Sequence, residues 1–318
     1  MTSGIKIAYG GASIAQRSFV TEEAVKGVFD VLEAGGVKII DTAQLYAGSE
    51  ELLGKTGAAS RFILDTKHVG GFGPEEESSK ERVFQRAKES LEKLKTKKVD
   101  VFYLHSPPKD AYWDETLAGV QEAYKAGLFE RFGLSNFKAE QVQKAYDDCK
   151  AKGYVLPTVY QGNYSPVTRK QEQVLFPTLR KLGIAFYAYS PLAGGFLTKS
   201  KQDVQDGAGR FDTNTPIGQL YSKLYNKPEM LKVLETWEQI AKDEGCSRAD
   251  LAYRWVRFSS PLKPEQGDAM IIGASSLDQL KQTLEGSNAG PLSAKALQQI
   301  DAAWDIVKEH APLDNFHG

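Results

Sequence analysis

Cysteine is nearly absent: Cys149 and Cys246 stand far apart and outside any CxxC or Cys/His spacing, which excludes a disulfide framework and a structural zinc site and fits a reducing compartment. Neither sign of charge dominates. A formal net charge of −1 leaves no basic surplus for neutralising phosphates, and no stripe of Lys and Arg interleaves with aromatics, so nucleic acid is not an expected partner. Long apolar runs are missing as well. No stretch of about eighteen apolar residues occurs, and the opening MTSGIKIAYGG has no charged segment leading into an apolar one, so no membrane association and a cytoplasmic location are expected. No linker, internal repeat or low-complexity tract marks a second domain. The 318 residues are therefore read as one domain, 1–318, with a globular composition of 41% apolar and 25% charged residues.

What is present is an alternation. Eight short apolar or β-branched runs recur: IKIAYG, VKIID, FILDTK, VDVFYLH, RFGLS, TVYQG, IAFYAYS and AMIIG. Segments with helical spacing lie between them, such as Val25, Val28, Phe29 and Leu32 at i, i+3, i+4 and i+7. Runs that are apolar nearly end to end suit parallel strands covered by helices on one side and packed on a barrel interior on the other. A doubly wound sheet would also alternate, but no GxGxxG follows the first strand, and eight strands suit closure. The expected fold is an α/β (β/α)8 barrel. Residues 198–227 form a long insertion between the seventh and eighth strands, read as a lid over a bound cofactor. Helical patterns follow around 231–243 and 247–258, and a C-terminal helix around 294–308.

Active sites of such barrels lie at the C-terminal ends of the strands, so the residues that finish each run carry the argument. The second run ends in Asp41 with Tyr46 shortly after, the third in Lys67, the fourth in His105, the fifth in Ser135 and Asn136, the sixth in Gln161 and the seventh in Tyr189. Singly, each has a bland alternative: Asp41 a helix cap, Tyr46 a loop aromatic, His105 a filler of the barrel mouth, and the amides and Ser135 turn residues. Together they acquire chemistry. A buried strand-end lysine needs a counter-charge, which Asp41 on the adjacent strand supplies. A phenol titrating near pH 10 becomes a usable acid when a neighbouring ammonium lowers it by roughly one to three pH units. His105 would donate to a carbonyl, and Ser135, Asn136 and Gln161 match a planar carboxamide, with Tyr189 stacked beneath its ring. SPLAGG at 190–195 and the helix opened by GASSLDQLKQ at 273–282 offer small residues and free N–H groups to phosphates. GGFG at 70–73 reads as an ordinary loop. Phe19, Tyr112, Trp113, Phe196 and Tyr221 are candidates for an aromatic pocket wall or for core.

These motifs resemble the aldo-keto reductase superfamily. DTAQLY at 41–46, Lys67, LHSP around His105, GLSN at 133–136, YQGNYS at 160–165, AYSPLAGG at 188–195 and IIGASSLDQL at 271–280 occur in the family's order, over nearly the whole chain. Within the family, VYQGNYSPVTR and FYAYSPLAGGFLT are most similar to the branch containing aflatoxin aldehyde and succinic semialdehyde reductases.

The resemblance implies NADPH-dependent reduction of a small-molecule aldehyde or reactive ketone, with Tyr46 as general acid, Lys67 and Asp41 tuning it, and His105 orienting the carbonyl. It implies a cofactor (NADPH, or NADP+ once oxidised) held by Gly11, Ala12, Asp41, Ser135, Asn136, Gln161, Tyr189, Ser190, Pro191, Leu192, Gly194, Gly195, Gly273, Ser275, Gln279 and Gln282. It requires no metal and allows a homodimer.

Three departures bear on specificity. Tyr9-Gly10-Gly11-Ala12 would widen one pocket wall. The family's common Arg or Lys for the 2′-phosphate is replaced by Ser275 and Gln279, leaving Arg210 in the insertion as a substitute. LYSKLYNK lacks the arginine expected for gripping a substrate carboxylate. A cofactor-binding redox sensor with little catalysis is the alternative, and a Schiff-base lyase using Lys67 is a more distant one.

Overall fold

The computed structural model describes residues 4–16 and 18–317; Met1 to Ser3, part of the opening stretch read above, lie outside the described residues. Eight parallel strands close into a barrel in sequence order: β1 (Lys6–Gly10), β2 (Ile39–Asp41), β3 (Ile63–His68), β4 (Val99–Leu104), β5 (Phe129–Ser135), β6 (Pro157–Asn163), β7 (Ala185–Tyr189) and β8 (Ala269–Ile272). β8 returns to β1 with Ala269 opposite Lys6 and Ile272 opposite Tyr9, so no sheet edge is left open.

Helices connect the strands. The first, α1 (Glu22–Ala34), is capped by the Thr21 hydroxyl on the Ala24 N–H and buries Val25, Val28, Phe29 and Leu32, the face read from the sequence. The outer ring continues with α2 (Ser49–Lys55), α3 (Lys80–Leu94), α4 (Trp113–Lys125), α5 (Ala139–Lys152), α6 (Gln171–Val174) and α7 (Phe176–Leu182). After β7 come α8 (Lys201–Gln205), α9 (Pro216–Tyr225), α10 (Pro228–Glu244) and α11 (Arg248–Arg254), and after β8 come α12 (Leu277–Ser287) and α13 (Ala294–Val307). The insertion is thus two short helices, α8 and α9, and the later helical patterns are α10, α11 with a π turn at 255–259, and α13.

Two apolar regions result. Most of the core lies between strands and helices. A smaller cluster of Ala8, Ile39, Val101, Tyr103, Val159, Tyr187 and Ile271 fills the barrel itself. Strand side chains alternate, so the inward positions lead up each strand to its polar end residue. That alternation brings Asp41, Lys67, His105, Ser135, Gln161 and Tyr189 to one rim.

Candidate active site

The rim residues form a connected set. The Lys67 ammonium, fully buried, donates to Asp41 Oδ2 at 2.5 Å and to the Thr42 carbonyl at 2.7 Å, and Asp41 Oδ1 accepts from the Gln161 amide at 2.9 Å. Lys67 also lies 5.1 Å from the centroid of the Tyr46 ring. Burial opposes its charge most strongly, but Asp41, Tyr46 and Asp65 together outweigh burial and hold its pKa above the ordinary value.

The Tyr46 phenol behaves otherwise than the sequence suggests. Enclosure at the barrel mouth pushes its pKa above the ordinary value of a phenol, more than the Lys67 ammonium pulls it down. The structure therefore keeps Tyr46 as a phenol rather than a phenolate. His105 is driven the other way: burial first, then the charge of Lys67, lowers its pKa well below that of free imidazole. Its ring is neutral.

Tyr46 and His105 begin a run of rings packed edge to face. Tyr46 and His105 are 5.7 Å apart between centroids, His105 and Phe72 5.3 Å, and Phe72 and Phe316 5.1 Å. Phe72 belongs to the GGFG segment read as an ordinary loop, which is corrected here. Gly70, at φ +57°, lies so close to the Ser106 carbonyl that a Cβ would sit 2.2 Å from it; only glycine allows this approach, which brings Phe72 over His105.

Next to His105, Asn136 donates to the His105 carbonyl at 2.8 Å and accepts from the Tyr189 hydroxyl at 2.9 Å. Ser135 Oγ is buried with no partner among the described residues. Asn136 (φ 60°) and Ser190 (φ 56°) both adopt the left-handed conformation directly after their strands, a strained geometry typical of functional sites.

A cleft of about 670 Å³ runs from these residues along the rim. Tyr46, Asp41, His105, Ser135, Asn136, Gln161 and Tyr189 line one part of it. Ser190, Pro191, Leu192, Gly194 and Gly195 continue it, and Ala12, Arg210, Gly273, Ser275 and Gln279 also face it. Tyr221 of α9 packs on Gly194, where a Cβ would meet the ring at 1.8 Å, and Arg210 lies over the Tyr221 ring. The insertion therefore forms a wall of the cleft.

Several expected residues lie elsewhere. Gly11 is buried, its carbonyl accepting from the Ser49 hydroxyl, and Gly10, Ala12 and Ser13 face the cleft in its place. Gln282 is exposed on α12 and does not line the cleft. Phe19, Trp113 and Phe196 are core residues, and Tyr112 lies outside the lining; of the five aromatic wall candidates, Tyr221 faces the cleft. Ser275 and Gln279 are bonded to each other, Gln279 Oε1 accepting from the Ser275 N–H and hydroxyl. Lys199, Tyr253, Asn315 and Phe316 line the cleft without having been foreseen. The long segment carrying Lys199 was the one sequence signal for any of them.

A closed (β/α)8 barrel with a lysine–carboxylate pair, a tyrosine and a neutral histidine on its C-terminal rim, beside an elongated cleft, has the layout of an oxidoreductase acting on carbonyl groups. The chain belongs to the aldo/keto reductase family, whose model matches residues 6–305. It is 40% identical over 298 residues to the oxidoreductase sirO of Leptosphaeria maculans, covering 92% of this chain and 89% of that one. It is 38% identical over 307 residues to two proteins of Homo sapiens, aldo-keto reductase family 7 member A3 and aflatoxin B1 aldehyde reductase member 4, covering 92% of this chain and 91% of each. Among the described residues no helix is long and apolar enough to cross a membrane, and no group of His, Cys, Asp and Glu is placed to hold a metal ion.

Proposed function

We propose that the protein is a cytoplasmic, single-domain NADPH-dependent reductase of aldehydes and reactive ketones, with Tyr46 as its general acid. The observation that carries this reading is the Lys67–Asp41 pair lying under a protonated Tyr46, beside a cleft of about 670 Å³. Aldehydes are favoured by the relatives, among them aflatoxin B1 aldehyde reductases.

The residues present fit the cofactor. Ser135 Oγ is a buried hydroxyl with no partner among the described residues, and a carboxamide would satisfy it. With Asn136 and Gln161 it would hold the nicotinamide amide, while Tyr189 would lie against the ring. Ser190, Leu192 and Gly194 would line the pyrophosphate, and Gly273, Ser275, Gln279 and Arg210 the adenosine end. NADPH, when bound, supplies a hydride to the carbonyl carbon.

The protein does the rest. His105, neutral, donates a hydrogen bond that orients the carbonyl oxygen. Tyr46 passes its proton to that oxygen as negative charge develops there, and Lys67 stabilises the phenolate left behind. Asp41 keeps the ammonium in place. The phenolate then recovers a proton from water entering the cleft.

The test is a fluorescence titration with NADPH and with NADH, followed by addition of 4-nitrobenzaldehyde. Tight NADPH binding and loss of nicotinamide absorbance are expected. Tyr46→Phe should lower kcat by at least about a hundredfold with the NADPH Kd nearly unchanged. Binding without turnover would replace the reductase by a cofactor-binding sensor, and loss of NADPH binding in Tyr46→Phe would remove the proton-donor role.

A further inference from the structure

Beneath the Lys67–Asp41 pair the barrel holds a second carboxyl group that the reaction above does not use. Residues two apart on a strand face the same way, so Asp65 points into the barrel one layer below Lys67. The β2–β3 register sets Asp41 and Asp65 side by side on neighbouring strands. All three side chains are buried, Asp65 and Lys67 completely.

Their bonds are unequally shared. Lys67 is committed to Asp41 and to the Thr42 carbonyl. Asp65 Oδ1 accepts the Val101 N–H at 3.1 Å, and Oδ2 has no partner among the described residues.

Among the described residues no cation bonds to Asp65. Asp41 faces it from β2, Asp100 and Tyr103 from β4, Arg131 from β5, and Lys67 from its own strand, with Tyr187 of β7 completing the charged and phenolic surroundings. Arg131 is held by both oxygens of Asp100, at 2.9 and 2.7 Å, and donates to the Tyr187 hydroxyl at 3.1 Å. Lys67 and Arg131 thus already have their carboxylates, and Lys6 of β1 stands over the Tyr187 ring, 5.0 Å from its centroid, without bonding Asp65. An ionised Asp65 would be a second anion in a dry layer beside Asp41, and two such carboxyls do not both ionise. Burial first, then Asp41 and Asp100, raise the Asp65 pKa well above the ordinary carboxylate value.

We propose that Asp65 is a positioning residue that works in its protonated form, bracing Lys67 from below as a neutral acid so that the ammonium stays shared between Asp41 and the Tyr46 ring. Ionised, it would compete with Asp41 for the ammonium and place a second negative charge beneath the phenol, making Tyr46 a poorer proton donor. This role rests on the reductase reading of the site.

Two measurements test it. The infrared difference spectrum between wild type and Asp65→Asn, taken without ligands at neutral pH, should show loss of a protonated carboxylic-acid C=O stretch. Loss of carboxylate bands instead overturns the proposal, whatever the protein catalyses. In kinetics, Asp65→Asn, which keeps the shape and the acceptor for Val101 but cannot ionise, should retain kcat within about twofold; Asp65→Leu should lower kcat about tenfold at unchanged KM and NADPH Kd. A kcat for Asp65→Leu equal to wild type overturns the proposal, as does a tenfold loss in a folded Asp65→Asn. If Asp65→Leu does not fold, the infrared spectrum and Asp65→Asn still decide. Wild-type protein that reduces no carbonyl removes the reductase reading and this role with it, while the infrared spectrum separates that failure from a wrong protonation state.

Discussion

Lys67 and Asp41 meet across 2.5 Å inside the barrel, with both side chains almost wholly shielded from water. Such a pair gains little net stability over an apolar pair of equal volume, but removing one partner leaves the other charged and uncompensated.

Lys67→Met should therefore destabilise the fold by about 3–5 kcal/mol, because it strands the Asp41 carboxylate. The double variant Lys67→Met with Asp41→Leu should recover most of that loss in urea denaturation, yet neither protein should reduce aldehydes. A double variant no more stable than the single one would show that the pair itself holds the barrel together.

Ser135 gives the opposite separation. Its hydroxyl makes no bond within the described residues, so Ser135→Ala should leave the melting temperature of the cofactor-free protein unchanged. NADPH binding should weaken by about 0.5–1.5 kcal/mol, up to roughly tenfold in Kd. An unchanged Kd would mean that the carboxamide sits elsewhere.

Most of the rim could be read from the chain, and the reason is geometric. A (β/α)8 barrel delivers the inward-facing residues at the C-terminal end of every strand to one face, so Asp41, Lys67, His105, Ser135, Gln161 and Tyr189 needed only strand order to be brought together. Residues that reach the cleft through long-range packing carry no such periodicity. Phe72 arrives because Gly70 folds its loop against Ser106, and Phe316 because the segment after α13 returns to the mouth. Conversely, Phe19, Trp113 and Phe196 have the composition of a pocket wall but turn into the core, where their large apolar area is better buried. Asp65 lay inside an apolar run, and only the β2–β3 register shows its neighbour to be Asp41.

Phe316 should contribute to substrate choice. Phe316→Ala should lower kcat/KM for 4-nitrobenzaldehyde by about 0.5–1.5 kcal/mol, the worth of an aromatic contact. A short aliphatic aldehyde should be nearly unaffected. Equal loss for both would indicate that the ring steadies Phe72 and His105 rather than touching substrate.

His68 sets an acid limit on stability. Its Nδ1 accepts from the Gly70 N–H at 3.1 Å, and burial lowers its pKa from 6.5 to about 4. Below the unfolded value the unfolded chain takes up a proton that the folded one refuses, so stability is full above pH 6.5 and falls as the pH drops toward 4. The loss from this residue is on the order of 3 kcal/mol at the lower end. His68→Gln should flatten the decline by that amount in urea titrations at about pH 7 and about pH 4, leaving the same-signed slope of His105. An unaltered decline would place the acid sensitivity elsewhere.

The Phe72–Phe316 contact makes Gly4 and Phe316 unequal as points of attachment. Gly4 lies beside Phe258 at the barrel floor, far from the chemistry, whereas Phe316 stands in the mouth of the cleft. A bulky group placed next to Phe316 would act as a plug at the entrance, whereas one placed next to Gly4 would not.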